Sequence, residues 1–309
     1  MKKILVTGGS GFIGSHLCDF LLKKDNFVIA LDNNYSSNKS NISHLDNHKN
    51  FTFLNKDINK KIDLKVDEIY HLACPASPKY YQLDPINTLK TNVIGTLNML
   101  ELANKYNCKI LMSSTSEIYG DPLSHPQNEK YWGNVNPIGP RACYDEGKRA
   151  AECLAFDFLR KYATKIKIVR IFNTYGPRMD KNDGRVVSNL IMQGLDKRKL
   201  SIYGDGSQTR SFCYYLDTVR GLYKMMNSSK KFVGPVNIGN PSEISIIDLA
   251  KKISEILNIK STIKYLPLPI DDPYRRKPDI SLAIEKLNWR PVVNLSTGLK
   301  DTINYLSKN

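Results

Sequence analysis

The run Thr7-Gly8-Gly9-Ser10-Gly11-Phe12-Ile13-Gly14 constrains this chain more than any other segment. It follows a short apolar run, Lys3 to Thr7. It opens a stretch, Ser15 to Lys24, in which Leu17, Phe20, Leu21 and Leu22 recur at helical spacing. A second apolar run, Phe27 to Leu31, comes next. Strand, glycine-rich turn, helix and strand within about 30 residues make a βαβ unit. The glycines allow a tight turn and let the backbone approach a pyrophosphate, and the helix N-terminus offers it free N–H groups. Glycine triplets also occur in ordinary tight turns, and the spacing differs from the commonest G-x-G-x-x-G, so the strand–helix context carries the reading. Asp32 closes the second strand. An acid there accepts hydrogen bonds from the adenosine ribose and repels a 2′-phosphate, which favours NAD over NADP. The competing role for Asp32 is a helix or turn cap. The candidate cofactor residues are Gly8, Gly11, Phe12, Ile13 and Gly14, Asp32 with Asn33, Asp57 with Ile58 at the end of the third strand, Leu72 with Ala73 at the end of the fourth, and Tyr144 with Lys148.

The alternation continues. Residues 51–54, 68–72, 109–113 and 167–172 read as strands, and 88–106 and 145–162 as the longer helices between them. Strands alternating with helices imply an α/β fold, a Rossmann-type doubly wound parallel sheet covered on both faces. After about Tyr175 the texture changes. Gly176-Pro177 and Asp183-Gly184 punctuate the chain, and Pro267, Pro269, Pro273 and Pro278 crowd one late loop. Residues 1–175 are expected to bind NAD. Residues 176–309 are expected to form a smaller C-terminal α/β domain that mainly binds substrate, with some segments returning to the Rossmann domain.

A chain of 309 residues can bury a full core. No apolar run approaches the ~20 residues that span a bilayer. The start, Met1-Lys2-Lys3-Ile4-Leu5-Val6, resembles a signal peptide only until Gly8-Gly9 interrupts it. The cytoplasm is the default expectation, with no membrane partner. The cysteines at 18, 74, 108, 143, 153 and 213 form no C-x-x-C pair, and no histidine lies at zinc-ligand spacing. Free thiols in a reducing compartment and no metal are expected. The net charge of +15 raises nucleic-acid binding, but basic runs such as Lys197-Arg198-Lys199 are short and the lysines are spread out. The preferred reading is a solvated basic surface whose field suits an anionic small substrate, not a nucleic acid.

Tyr144 and Lys148 are one helical turn apart and share a face. A free tyrosine has a pKa of about 10 and is a poor base at neutral pH. A nearby ammonium and the positive nicotinamide of NAD both favour the phenolate. Tyr144 can then take a proton from a sugar hydroxyl. Tyr-x-x-x-Lys alone is common on surface helices. Here it follows a strand ending in Ser113-Ser114-Thr115-Ser116-Glu117, where the Thr115 hydroxyl can share the proton and hold the substrate.

The segments Thr7 to Gly14, Asp32, Ser114 to Gly120 and the Tyr144/Lys148 pair resemble the extended short-chain dehydrogenase/reductase family over essentially the whole chain. Finer segments resemble the branch that decarboxylates UDP-glucuronate: residues 71–78, 89–96, 114–122, 136–148, 170–174, 182–189, 206–210 and 276–279. The resemblance implies a tightly bound, recycled NAD. It also implies oxidation at C4 with Tyr144 as base, loss of the C5 carboxylate from the resulting β-keto acid, protonation at C5 and re-reduction to UDP-xylose. Thr115, Glu117, Tyr144, Lys148 and Arg276 are the implied catalytic residues. Glu117 would handle protons near C5, and Arg276 would bind the carboxylate and then the oxyanion. Lys90, Ser116 and Arg141 are assigned to the sugar end, and Arg185, Arg210 and Asn173 to the uridine and diphosphate. The family resemblance further implies a homodimer, the two long helices of each subunit forming an intermolecular four-helix bundle.

Other members of the family are the nearest alternatives. Sugar-nucleotide 4,6-dehydratases carry Asp-Glu after the threonine, where this chain has Ser116-Glu117. The 4-epimerases that resemble it lack a glutamate at 117 and have little use for Arg276. A non-catalytic NAD-binding regulator would need no base, and Thr115, Tyr144 and Lys148 are all present.

Overall fold

Alternate residues of the apolar runs are buried on opposite faces of one parallel sheet. The computed structural model describes residues 1–260 and 262–308. The strands are β1 (Lys3–Thr7), β2 (Phe27–Asp32), β3 (Phe51–Asn55), β4 (Glu68–His71), β5 (Lys109–Thr115) and β6 (Ile166–Ile171). The strand Val236–Ile238, from late in the chain, pairs with β6 and completes the seven-stranded sheet. The order is Val236–Ile238, β6, β5, β4, β1, β2, β3. On one face Ile4, Val6, Val28 and Ala30 pack with Leu17 and Leu21 of α1 (Phe12–Leu22) and with Leu222 and Met225 of the helix Tyr215–Met226. On the other, Leu5, Ile29, Leu31 and Ile110 pack with Met99, Leu102, Ala151 and Ala155. A strand buried on both faces must be apolar almost throughout, which is why these segments read as continuous runs.

The first long helix departs from expectation. It is built from α2 (Pro78–Leu83), α3 (Pro85–Lys90), a π-helical turn at Thr91–Gly95 and α4 (Thr96–Lys105). Its start lies upstream of Thr88 because Pro85 suits a first helical position and the Asp84 carboxylate caps the Asn87 amide at 3.0 Å. The π turn is where α5 (Ala142–Tyr162) crosses closely: a Cβ on Gly147 would lie 2.9 Å from the Asn92 side chain. β5 runs on to Thr115, two residues past its expected end, and β3 stops at Asn55, before Asp57.

The switch point of the sheet lies between β1 and β4, where the chain leaves on opposite sides. Ligands of open α/β sheets bind there, outside the carboxyl ends of the strands. Over those ends sits a second core that includes Leu190, Ile191, Leu200, Ile202, Leu249 and Leu299. It carries a small sheet in which Thr209–Ser211 pairs antiparallel with Glu243–Ser245 and parallel with Arg275–Arg276. That register puts Arg276 directly opposite Arg210. Among the described residues the six cysteines are free thiols, and no helix is long and apolar enough to cross a membrane.

Candidate active site

A cleft of about 1140 Å³ runs from the glycine loop to Arg276. Single small-molecule pockets are typically about 300–1,000 Å³, so the space suits a dinucleotide together with a sugar nucleotide. Gly8, Gly11, Phe12, Ile13, Gly14, Asp32, Asn33, Asp57, Ile58, Leu72 and Ala73 all line it.

The loop between β1 and α1 is a cradle that side chains would fill. Gly8 has φ +72°, and a Cβ on Gly14 would lie 2.0 Å from the Gly8 carbonyl oxygen. The α1 N-terminus has no side-chain cap and no acidic residue in its first turn, so its amides are left for an anion. The Asp32 carboxylate accepts from the Ser10 amide at 3.1 Å, the Asn34 amide at 3.0 Å and the Ser37 hydroxyl at 2.9 Å. It therefore does cap the loop, and a carboxylate with about four lone-pair sites keeps about one for a ribose hydroxyl. These features fit a dinucleotide pyrophosphate and an unphosphorylated ribose. Asp57 follows β3 instead of ending it, and its carboxylate holds the Asn59 amide at 2.8 Å.

Thr115 ends β5 and caps the short turn that follows, accepting from the Glu117 amide at 3.2 Å. Tyr144 and Lys148 lie on one face of α5, each 6% exposed. The Lys148 ammonium donates to the Ser113 carbonyl at 2.9 Å and stands 5.9 Å from the centre of the Tyr144 ring. Burial pushes the Tyr144 phenol well above its usual range, the Cys74 thiol adds to this, and a hydrogen bond with Thr115 opposes it. The expectation that the lysine lowers this phenol is thus not met by the chain's own groups, because desolvation outweighs it. Burial also lowers the Lys148 ammonium.

The anionic end is a chain of ion pairs. Arg276 donates to one Glu117 oxygen and Arg141 to the other. Arg141 also reaches Asp272 at 3.3 Å, whose second oxygen accepts from Arg210 at 2.8 Å. Burial raises the Glu117 carboxyl, but the guanidiniums of Arg276 and Arg141 outweigh it and hold it well below the carboxylate range, at about 2. Ser116, Asn173 and Arg185 line the same cleft, with Arg185 paired to Asp183 at 3.2 Å. Lys90 does not: it is exposed on α3 and outside the cleft. Thr88, two residues away and so on the opposite side of the helix, is the buried position.

Three neighbours were not singled out from the sequence. Tyr81 is 1% exposed and stacks on Tyr144 with ring centres 5.1 Å apart and planes 6° apart. Asp145 sits beside Glu117 on Arg141, and Asp272 bridges two arginines. Asp145 was adjacent to Tyr144 in sequence; Asp272 and Tyr81 belong to loops and short helices whose course periodicity does not reveal.

The family profile described as GDP-mannose 4,6 dehydratase matches residues 5–302. UDP-glucuronic acid decarboxylase 1 of Arabidopsis thaliana is 52% identical over 297 residues, 96% of this chain and 68% of that protein. UDP-glucuronic acid decarboxylase 1 of Danio rerio is 52% identical over 307 residues, 99% of this chain and 73% of that protein. The crystal structure of UDP-glucuronic acid 4-epimerase from Bacillus cereus, in complex with UDP-glucuronic acid and NAD, superposes with a TM-score of 0.90 at 31% identity, covering 99% of each chain. The chain therefore belongs to the extended short-chain dehydrogenase/reductase family, in the branch of the UDP-glucuronic acid decarboxylases.

Proposed function

We propose that this chain converts UDP-glucuronate to UDP-xylose and carbon dioxide, with NAD held at the β1–α1 loop and reused in each turnover. The observation that carries this reading is Glu117 clamped by Arg276 and Arg141 in the cleft that also holds Thr115 and Tyr144. A site acting only on neutral sugars has no use for two guanidiniums converging on a carboxylate in its cleft.

Bound NAD supplies reversible oxidation of C4. The residues that would hold it are the glycine loop, Asp32 with Asn33, Asp57 with Ile58, and Leu72 with Ala73. Tyr144 takes the C4 hydroxyl proton and returns it, and its phenolate would be favoured by the positive charge of bound NAD. Thr115 holds the same hydroxyl. Lys148, fixed on the Ser113 carbonyl, would offer its ammonium to the ribose of a bound cofactor. Arg276 and Arg141 bind the substrate carboxylate and stabilise the enolate left at C4 and C5 once it departs. Ser116 supports the sugar, and Arg210, Arg185 and Asn173 take the diphosphate and uridine. NAD is thus held by residues in 1–175, while 176–309 contribute Arg185, Arg210 and Arg276 to the sugar nucleotide.

We infer a homodimer through α3–α4 and α5. Ile86 and Leu89 are exposed on α3, with Leu83 just before them at the end of α2, Ile94 on the π turn and Tyr162 at the end of α5. The free thiols suit the reducing cytoplasm. Proton NMR of UDP-glucuronate incubated with the protein tests the activity. UDP-xylose is the expected product, without need of added NAD if the cofactor stays bound. Unchanged UDP-glucuronate in the presence of NAD overturns the reading.

A further inference from the structure

Two carboxyl groups share the Arg141 guanidinium. Glu117 accepts from its Nη2, and Asp145, one helical turn further on, has Oδ2 4.0 Å from its Nε. The Asp145 side chain is 8% exposed, and its Oδ1 is buried with no hydrogen-bond partner. Glu117 has a guanidinium on each oxygen. Glu117 can therefore stay ionised, whereas ionising Asp145 strands a charged oxygen away from water. The groups facing Asp145 are Glu117 from the turn after β5, Arg276 from its strand, Arg141 and Glu146 from its own segment, Tyr81 from α2 and the Cys143 thiol. Burial and the Glu117 carboxylate push Asp145 up to about 7, against the pull of Arg141 and Arg276.

The chemistry needs such a group. Losing carbon dioxide from an ionised carboxylate and gaining hydrogen at C5 consumes one proton per turnover. Tyr144 cannot supply it, because the proton it takes from the C4 hydroxyl goes back there when C4 is re-reduced. Glu117 alone, held ionised by two arginines, is a poor acid.

We propose that Glu117 and Asp145 hold one proton between them and that this proton goes to C5 when the carboxylate leaves. The proposal rests on the decarboxylase reading. Glu117 lines the cleft and meets the substrate; Asp145 stands behind it, outside the cleft lining, as the positioning residue that keeps the pair protonated. The bond between C5 and the carboxyl carbon breaks, its electron pair enters the enolate over C5 and C4, and carbon dioxide departs. The C5–H bond then forms with the shared proton, which Asp145 gives up and Glu117 delivers, and solvent reprotonates the pair. One proton is consumed, and no oxidant beyond the recycled NAD is required.

The test is kcat against pH for the wild type, Asp145→Asn and Asp145→Glu acting on UDP-glucuronate. The acid must be protonated, so wild-type kcat falls as pH rises through about 7. Asp145→Asn is expected to lose that limb and at least roughly tenfold in kcat, with KM little changed, and Asp145→Glu to restore a limb. An Asp145→Asn profile with the wild-type limb intact overturns the proposal. Thermal melts read the protonation without turnover. Asp145→Asn should melt above the wild type at pH above about 7 and level with it near pH 4, because only the wild type pays to ionise a buried carboxyl. Equal melts across that range also overturn it. A wild type that makes no UDP-xylose overturns the functional reading, and the melts still decide whether Asp145 holds a proton.

Discussion

Arg276 and Glu117, 159 residues apart in sequence, form a buried ion pair in the cleft. The pair ties the small sheet of the second half of the chain to the turn after β5. It also leaves a guanidinium where a sugar carboxylate has to be recognised. Arg276→Ala is expected to reduce decarboxylation by about 10²–10³-fold, the usual cost of one preorganised donor to a developing oxyanion. Arg276→Lys should recover little, since an ammonium cannot supply the planar fork. Initial rates of UDP-xylose formation check both, and near-wild-type rates in the alanine variant contradict the role.

Tyr144→Phe should lower kcat by about 10²–10⁴-fold while UDP-glucuronate still binds. The active form of this base is the phenolate, so kcat rises with pH on its acid limb. Thr115 is the neighbour whose hydrogen bond lowers the phenol. Thr115→Val removes it and is predicted to move the acid limb to higher pH. A limb that stays in place or moves to lower pH contradicts the assignment.

Gly14→Ala places a methyl group 2.0 Å from the Gly8 carbonyl oxygen, a backbone atom that cannot swing aside. The loop must deform, at a cost of about 1–3 kcal/mol. Both Tm and NAD affinity should fall, by melting curves and calorimetric titration. Gly11→Ala meets only that same carbonyl, at 3.1 Å, and should cost the fold less while still standing in the path of the cofactor. Equal melting temperatures for Gly14→Ala and the wild type contradict this account of the loop.

Ile86 and Leu83 are 68% and 73% exposed. If they meet a second copy, Ile86→Glu should convert a dimer to monomer at micromolar concentration in sedimentation velocity. A wild-type monomer under the same conditions removes the dimer proposal.

The parts of this fold that one periodicity governs were legible in the sequence. The central strands β1 and β2 are apolar along most of their length because both sheet faces are covered, and the glycine loop is marked by its place between β1 and α1. The Tyr144/Lys148 pair was legible because a helix turns a four-residue spacing into one face. The π turn at Thr91–Gly95 was not, because it follows from the close approach of Gly147 to Asn92 in space. Lys90 looked like an anion ligand by its neighbours, yet helix phase turns it outward while Thr88 faces in. The Asp272 bridge between Arg141 and Arg210 depends on a loop path that residue spacing does not encode.

The most direct measurement of the central claim is proton and carbon NMR of UDP-glucuronate turned over in D₂O without added NAD. The account predicts UDP-xylose carrying one deuterium at C5 from solvent and the original hydrogen returned at C4, with carbon dioxide released. UDP-galacturonate with its carboxylate intact would contradict it, leaving Tyr144 as base but removing the roles given to Glu117, Asp145 and Arg276.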